Sequence, residues 1–232
     1  MKLNSFEIKN FKGIGHTTYR INGNSEFQIV GDFCSGKTTV CDAFRVVRDL
    51  INGTLEELPE TNDAILRIST EDCVTYGVQL NQTEIIDEMY SMENAQQAFT
   101  NKLEVLTMDE MSNLKFRFGK YKLCGHSPLN QTEIDYINSI CKSVSPDLYL
   151  RKVIDNGQKD NYCEFIFKSR LVEDYSSNVR MILAALMFFK VGDVLVLDDA
   201  PYPVIKVIKE HMPKNKQLIY TCYSHNIGCD QF

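Results

Sequence analysis

Residues 27–43 have the sequence FQIVGDFCSGKTTVCDA, and the rest of the chain is organised around them. The short apolar run 27–30 predicts a strand, and the two glycines at Gly31 and Gly36 predict a loop after it. Apolar residues then recur at helical spacing, at Val40, Ala43, Phe44 and Val47. The stretch therefore predicts a strand, a glycine loop and a helix, in that order.

The loop has the spacing of a phosphate-binding P-loop, in which a glycine is followed after four residues by Gly-Lys-Thr. The backbone N–H groups of such a loop, and the positive end of the helix that follows, favour an anion. Lys37 would then reach the β and γ phosphates, and the Thr38 hydroxyl would hold Mg²⁺. The residues predicted to bind the nucleotide are Gly31, Asp32, Phe33, Cys34, Ser35, Gly36, Lys37, Thr38 and Thr39.

The second half of this site is predicted at Val194-Leu195-Val196-Leu197-Asp198-Asp199, a run of four apolar residues that ends in two carboxylates. Continuous apolar strands are typical of the middle of a parallel sheet that is covered on both faces, and Gln217–Cys222 has the same character. Asp198 would hold Mg²⁺ at the carboxyl end of its strand, and Asp199 would polarise the attacking water. The alternative interpretation is that this strand simply ends in solvent and Asp198 does not hold Mg²⁺.

Composition indicates one globular domain of 232 residues, with 44% hydrophobic and 24% charged residues. The longest apolar stretch, near Met181–Phe189, is too short to cross a bilayer, and the first residues form no apolar export signal. We therefore predict a cytoplasmic protein without a membrane partner. The eight cysteines are scattered without a CxxC pair and are predicted to be small buried hydrophobic residues.

A net charge of −6 disfavours a protein whose whole surface binds nucleic acid. One local strip is different, because cations alternate with aromatic rings from Lys115 to Lys122. On a strand this pattern indicates either contact with DNA or an amphipathic strand with its aromatic residues in the core. The second interpretation is favoured.

Outside the central stretch, local patterns predict further elements. Four helices are expected. The first follows Thr38 and ends near Asn52-Gly53, the second covers 84–102, the third begins at Thr132, and the fourth covers 179–189. Strands are expected near 5–11, 17–21, 64–69, 74–80, 103–107, 148–154 and 162–167. The sequence Asn22-Gly23-Asn24 predicts a hairpin turn from the second strand into the strand that precedes the P-loop.

The order of these pieces resembles the SMC/RecF-like ATPases, the ABC-type head domains of DNA maintenance proteins. Residues 6–14 are similar to their first strand, and 31–44 to their P-loop and helix. Near the other end, 175–180 is similar to a degenerate signature motif, 194–201 to the Walker B strand, and Ser224-His225 to the switch histidine after a strand. The middle of the chain is left unmatched.

This resemblance implies an α/β P-loop NTPase of ABC/SMC-head type. Such a fold has a mixed sheet with central parallel strands flanked by helices, plus a small inserted helical/β arm. The single head domain, 1–232, would comprise an amino-terminal lobe with the Walker A loop (1–80), the inserted arm (81–145) and a carboxyl-terminal lobe (146–232).

The resemblance also implies that ATP binds between two heads, with Mg²⁺, in a homodimer or with a different head as partner. Ser176 of one head would face the γ phosphate bound by the other, and His225 would sense that phosphate. The process implied is DNA repair or maintenance, or one that belongs to a phage or mobile element.

The chain departs from the family in ways that favour binding over turnover. Bulky Phe33 replaces a small loop residue, Ser177 and Asn178 replace the signature glycines, and Asp199 replaces a longer glutamate. An ATPase is the first hypothesis. The alternatives are a structural module that binds nucleotide with little or no hydrolysis, and a P-loop phosphotransferase for small molecules.

Overall fold

The computed structural model describes residues 1–32, 35–92, 95–107, 117–118, 131–153, 162–167, 170–171 and 177–223. Its strands are β1 (Leu3–Phe11), β2 (Ile14–Arg20), β3 (Glu26–Gly31), β4 (Thr61–Thr70), β5 (Thr75–Gln82), β6 (Glu84–Tyr90), β7 (Leu103–Thr107), β8 (Arg117–Phe118), β9 (Leu148–Val153), β10 (Tyr162–Phe167), β11 (Arg170–Leu171), β12 (Val194–Asp198) and β13 (Gln217–Tyr223). Its helices are α1 (Lys37–Asn52), α2 (Ala95–Phe99), α3 (Gln131–Val144), α4 (Ser177–Phe188) and α5 (Tyr202–His211). The chain divides into two compact units, the first comprising Met1–Leu106, Val191–Ala200 and Pro213–Phe232, and the second Thr107–Lys190 and Pro201–Met212.

The first unit contains two sheets. One is antiparallel and five-stranded, in the order β2-β1-β4-β5-β6, and the other is four-stranded, in the order β3-β13-β12-β7. In the second sheet β13 pairs in parallel with both β3 and β12. The predicted mixed α/β fold with central parallel strands is therefore confirmed.

Helix α1 packs into one apolar core with both sheets. Phe44 of α1 contacts Phe6 of β1, with ring centroids 3.9 Å apart, and Val196 of β12 belongs to the same cluster. The helix ends at Gly53, whose backbone has φ 65° and whose N–H donates to the carbonyls of Asp49 and Leu50. This left-handed residue is the predicted helix stop.

The helix predicted over 84–102 is wrong. Residues Glu84–Tyr90 form strand β6, which pairs antiparallel with β5, and of the described residues in this range only Ala95–Phe99 are helical. Gln82, with φ 54°, lies at the tight connection between the two strands. Because most side chains of β6 are exposed, the spacing of its apolar residues follows no buried face, and pairing with the sheet edge decides the structure.

The hairpin predicted through Asn22-Gly23-Asn24 is also wrong, although Asn22 and Gly23 do form a turn. Asn22 and Gly23 have φ 55° and 65°, the left-handed values expected of an Asn-Gly turn. The flanking strands nevertheless separate, since β2 pairs with β1 and β3 pairs with β13. The turn thus carries the chain from one sheet to the other.

The second unit has its own sheet, in which β10 pairs antiparallel with β8, β9 and β11. The strands predicted over 148–154 and 162–167 are confirmed as β9 and β10, and the helices predicted from Thr132 and over 179–189 as α3 and α4. Among the residues described, no helix is both long and apolar enough to cross a bilayer.

Gln217 of β13 is fully buried and joins the two sheets of the first unit. Its side-chain oxygen accepts from the Leu3 N–H at 2.8 Å, and its amide nitrogen donates to the carbonyls of Leu3 at 3.1 Å and Asn24 at 2.8 Å. We expect Gln217→Met to lower the free energy of unfolding by about 2–4 kcal/mol, because buried backbone groups lose their partners. Urea unfolding measures this value.

Gln97→Met is the control, because Gln97 is an exposed residue of α2. It should change stability by less than about 0.5 kcal/mol. Equal, small effects of both substitutions would show that Gln217 does not join the sheets.

Candidate functional site

The parallel sheet brings the predicted site residues to one edge. Strand β13 lies between β3 and β12, with Thr221 opposite Ile29 of β3 and Tyr220 opposite Leu197 of β12. The carboxyl ends of all three strands therefore meet at the same edge, which is where open α/β sheets bind ligands. The P-loop follows β3 at this edge, and the two carboxylates follow β12.

The described residues of the glycine loop contact the Lys37 ammonium. The Lys37 ammonium donates to the carbonyls of Gly31 at 2.8 Å and Asp32 at 2.6 Å, and lies 3.4 Å from the Ser35 hydroxyl. A Cβ at Gly31 would be 2.2 Å from that hydroxyl, so any larger residue there would displace the Ser35 side chain. Gly36 has φ 85° and leads directly into α1, as a glycine loop before a helix requires.

Asp198 at the end of β12 is only 4% exposed. The Thr221 hydroxyl donates a hydrogen bond to it at 3.1 Å, and the Cys41 thiol and the Thr38 hydroxyl are near enough to act as weaker donors. Burial raises the pKa of the Asp198 carboxyl, and the nearby charge of Asp199 adds to this effect. The three donors act in the opposite direction, and on balance the pKa lies above its ordinary value.

Thr38 and Asp198, the two residues predicted to hold Mg²⁺, are thus neighbours at this edge. Thr38 lies in the first turn of α1, so its position follows from the P-loop, whereas that of Asp198 follows from β12. Hydroxyl and carboxylate oxygens are suitable ligands for Mg²⁺. The donor set therefore fits the metal.

Asp199 has an unusual backbone. Its φ of 55° is left-handed, a conformation that costs about 1–2 kcal/mol for most residues. Its N–H donates to the Thr221 hydroxyl at 2.9 Å, and one hydrogen bond contributes about 1 kcal/mol. The side chain is exposed at the sheet edge, immediately beyond the buried Asp198.

Two residues at this site were not predicted for it. Cys41 is buried, as predicted, whereas the same prediction is wrong for Cys73, which is exposed. Cys41 also lies beside Asp198, and burial raises the pKa of its thiol well above the ordinary value, which keeps the thiol protonated. Thr221 bonds both carboxylate residues. A hydroxyl inside the apolar run of β13 was the signal in the sequence, whereas nothing distinguishes Cys41 from other buried cysteines.

Several predicted positions lie outside the described residues. They include Phe33 and Cys34 of the loop, Ser176 of the signature-like segment, and His225. Of the strip from Lys115 to Lys122, the structure describes only Arg117–Phe118, whose backbone forms β8 and pairs with β10.

Solved structures with a similar fold are ABC-type ATPase heads. A Smc head bound to the C-winged helix domain of ScpA has a TM-score of 0.61 at 15% identity, covering 95% of this chain and 90% of that chain. A Smc head derived from Pyrococcus furiosus, with an extended coiled coil and the C-terminal domain of ScpA, gives 0.57 at 14% identity, covering 97% and 90%. The recombination mediator protein RecF with ATP gives 0.53 at 10% identity, covering 97% and 94%.

The chain therefore has the SMC/RecF-like ABC-type head fold, as its sequence predicted. At these identities the likeness concerns the fold. No protein-family model and no curated protein sequence matches the chain.

The pKa of Asp198 makes a prediction about stability. Because that pKa is higher in the folded than in the unfolded chain, ionised Asp198 destabilises the fold at neutral pH. Asp198→Asn should raise the Tm at pH 7. The gain should disappear as the pH falls below the ordinary carboxyl pKa, where the group is protonated in both states. Thermal unfolding between pH 3 and 7 measures this.

Asp193, just before β12, provides a control of opposite sign. Burial alone would raise its pKa, but Lys216 at 2.8 Å and the Met1 ammonium at 3.0 Å outweigh burial, and the pKa is lowered. Asp193→Asn should lower the Tm at pH 7, and this loss should shrink as the pH falls through the folded-state pKa. Tm changes of the same sign at pH 7 in Asp198→Asn and Asp193→Asn would contradict the opposite pKa shifts of these two carboxyls.

Proposed function

We propose that this chain is an ATPase head that binds Mg²⁺ and ATP at the edge formed by β3, β13 and β12. The observation that carries the proposal is that Asp198 lies beside the adjacent pair Lys37 and Thr38, although it comes from a distant part of the sequence. A closed glycine loop alone also occurs in turns without a ligand. A loop of this kind, with its lysine and with a hydroxyl bonded to a buried carboxylate, matches the parts that phosphoryl-transfer sites use.

Each residue has a distinct role in this proposal. Backbone N–H groups of the loop and the start of α1 bind the phosphates, and Lys37 leaves the loop carbonyls to pair with them. Thr38 and Asp198 hold Mg²⁺, which when bound supplies positive charge beside the transferred phosphate. Asp199 orients and polarises the attacking water from its exposed position.

Association of two heads on ATP is the second part of the proposal. It is supported by the likeness to SMC and RecF heads and by α4, which begins at Ser177 directly after the signature-like Ser176. The start of a helix favours a phosphate, so Ser176 and α4 of one head would complete the site of the other. His225 would contact the same γ phosphate. By the same likeness the process served is a DNA transaction.

The first test compares the wild type with Lys37→Ala and Asp199→Asn. Titration calorimetry with ATP and Mg²⁺ should show binding by the wild type and Asp199→Asn, and a loss of at least about tenfold in affinity for Lys37→Ala, since a charge-assisted contact to phosphate is removed. Turnover by Asp199→Asn should fall by about 10²-fold or more. Light scattering should show a dimer of this variant that ATP and Mg²⁺ stabilise.

Lys190→Ala is the matched control for Lys37→Ala, because Lys190 is a lysine of the second unit, remote in sequence from the P-loop, and its loss should leave ATP affinity unchanged. Absence of ATP binding by the wild type would refute the proposed site.

Binding without turnover by the wild type would favour the second candidate, a nucleotide-binding structural module. The shorter carboxylate of Asp199, in place of glutamate, is the observation in its favour. The light-scattering measurement then distinguishes a head that dimerises on ATP from one that binds ATP without dimerising.

A further inference from the structure

Thr221 occupies the centre of the site edge. It lies on β13, between the strand that enters the P-loop and the strand that ends in Asp198, and it is 3% exposed. Its register partner on β3 is Ile29. Its hydroxyl bonds both the Asp198 carboxylate and the backbone N–H of Asp199.

The directions of its two hydrogen bonds are fixed by chemistry. A backbone N–H can only donate, so the Thr221 oxygen accepts from Asp199 at 2.9 Å. An ionised carboxylate can only accept, so the Thr221 hydroxyl hydrogen points to Asp198 Oδ1 at 3.1 Å. The single O–H hydrogen of Thr221 is therefore committed, and the hydroxyl links the two acidic residues in one chain of hydrogen bonds.

We propose that Thr221 is a positioning residue that sets the Asp198 carboxylate and the left-handed backbone of Asp199 at the same time. This inference rests on the proposed function, because it matters only if Asp198 holds Mg²⁺ and Asp199 orients water. Cys41 and Thr38 also donate to Asp198, whereas Thr221 is the side chain that bonds the Asp199 N–H. Its loss should therefore remove the hydrogen bond of the Asp199 N–H to Thr221 and one hydrogen bond of the Asp198 carboxylate.

Thr221→Val tests this role, because valine has nearly the same shape and neither donates nor accepts. Thr221→Ser keeps the hydroxyl and should restore the wild-type behaviour. The matched control is Thr61→Val, which removes a buried hydroxyl of β4 that has no hydrogen-bond partner among the described residues. Comparable Tm values for these proteins establish that they are folded.

The first measurement needs no nucleotide. Hydrogen exchange followed by NMR should show the Asp199 amide exchanging about tenfold faster or more in Thr221→Val, and at nearly the wild-type rate in Thr221→Ser and Thr61→Val. Unchanged exchange in Thr221→Val would overturn the inference whatever the nucleotide data show.

The second measurement is the gain in ATP affinity that Mg²⁺ confers, taken as the ratio of Kd values in EDTA and in Mg²⁺. In Thr221→Val this gain in affinity should fall by about 10-fold, and kcat should fall by about 10- to 100-fold, as for other groups that orient metal ligands. The Kd measured in EDTA should stay near the wild-type value. Thr221→Ser should recover both.

The outcomes separate the two proposals. If the wild type gains affinity from Mg²⁺ and Thr221→Val gains as much, Thr221 has no positioning role, although the nucleotide site stands. If the wild type binds no ATP, the proposed function fails, and the coupling role of Thr221 fails with it even where the exchange data show the hydrogen bond.

Discussion

The parallel pairing of β13 with both β3 and β12 is the constraint on which the rest of the first unit depends. Parallel strands present all their carboxyl ends at one edge, so the P-loop, Thr221 and Asp198 become neighbours although they are distant in sequence. An antiparallel arrangement would put alternate ends at opposite edges. The antiparallel sheet β2-β1-β4-β5-β6 contributes differently, because its β1 packs Phe6 against α1 and fixes the helix that carries Thr38.

The carboxylate of Asp198 is kept in position although its burial lowers the stability of the fold. A carboxylate that is nearly excluded from water is unfavourable unless donors surround it, and here three side chains from α1 and β13 provide them. Two of these donors, Thr38 and Cys41, lie three residues apart and so on one face of the helix. The third comes from the neighbouring strand, which means that the carboxylate is oriented only when helix and sheet are both in place.

The sequence predicted the parts of this structure that local patterns determine. The P-loop and α1 follow from one short stretch with glycines at both ends of the helix, and β12 and β13 from continuous apolar runs. Strand β6 could not be distinguished from a helix, because its exposed side chains carry no burial pattern. Helix α5 was not predicted, because its N-cap is Pro201, which provides no capping side chain, although Pro203 in the first turn is typical of a helix start.

The contacts that complete the site could not be predicted from local sequence patterns. Asn22-Gly23 formed the turn that its sequence favours, but the partner of each flanking strand was set by the rest of the sheet. Thr221 bonds residues 22 and 23 positions away, a relation that appears only once the strand order is known. The residues proposed to bind Mg²⁺ could therefore be predicted from the sequence, whereas the groups that position them could not.

The bonds of Lys37 to Gly31 and Asp32 have an energetic consequence for any phosphate that enters the loop. The ammonium is already satisfied by two carbonyls, so a phosphate replaces existing contacts instead of adding new ones, and only the difference between the two sets contributes to affinity. Counting lysine–phosphate contacts in a complex would overstate the binding energy. Such a loop discriminates by charge, because only a ligand more anionic than a peptide carbonyl gains from the exchange.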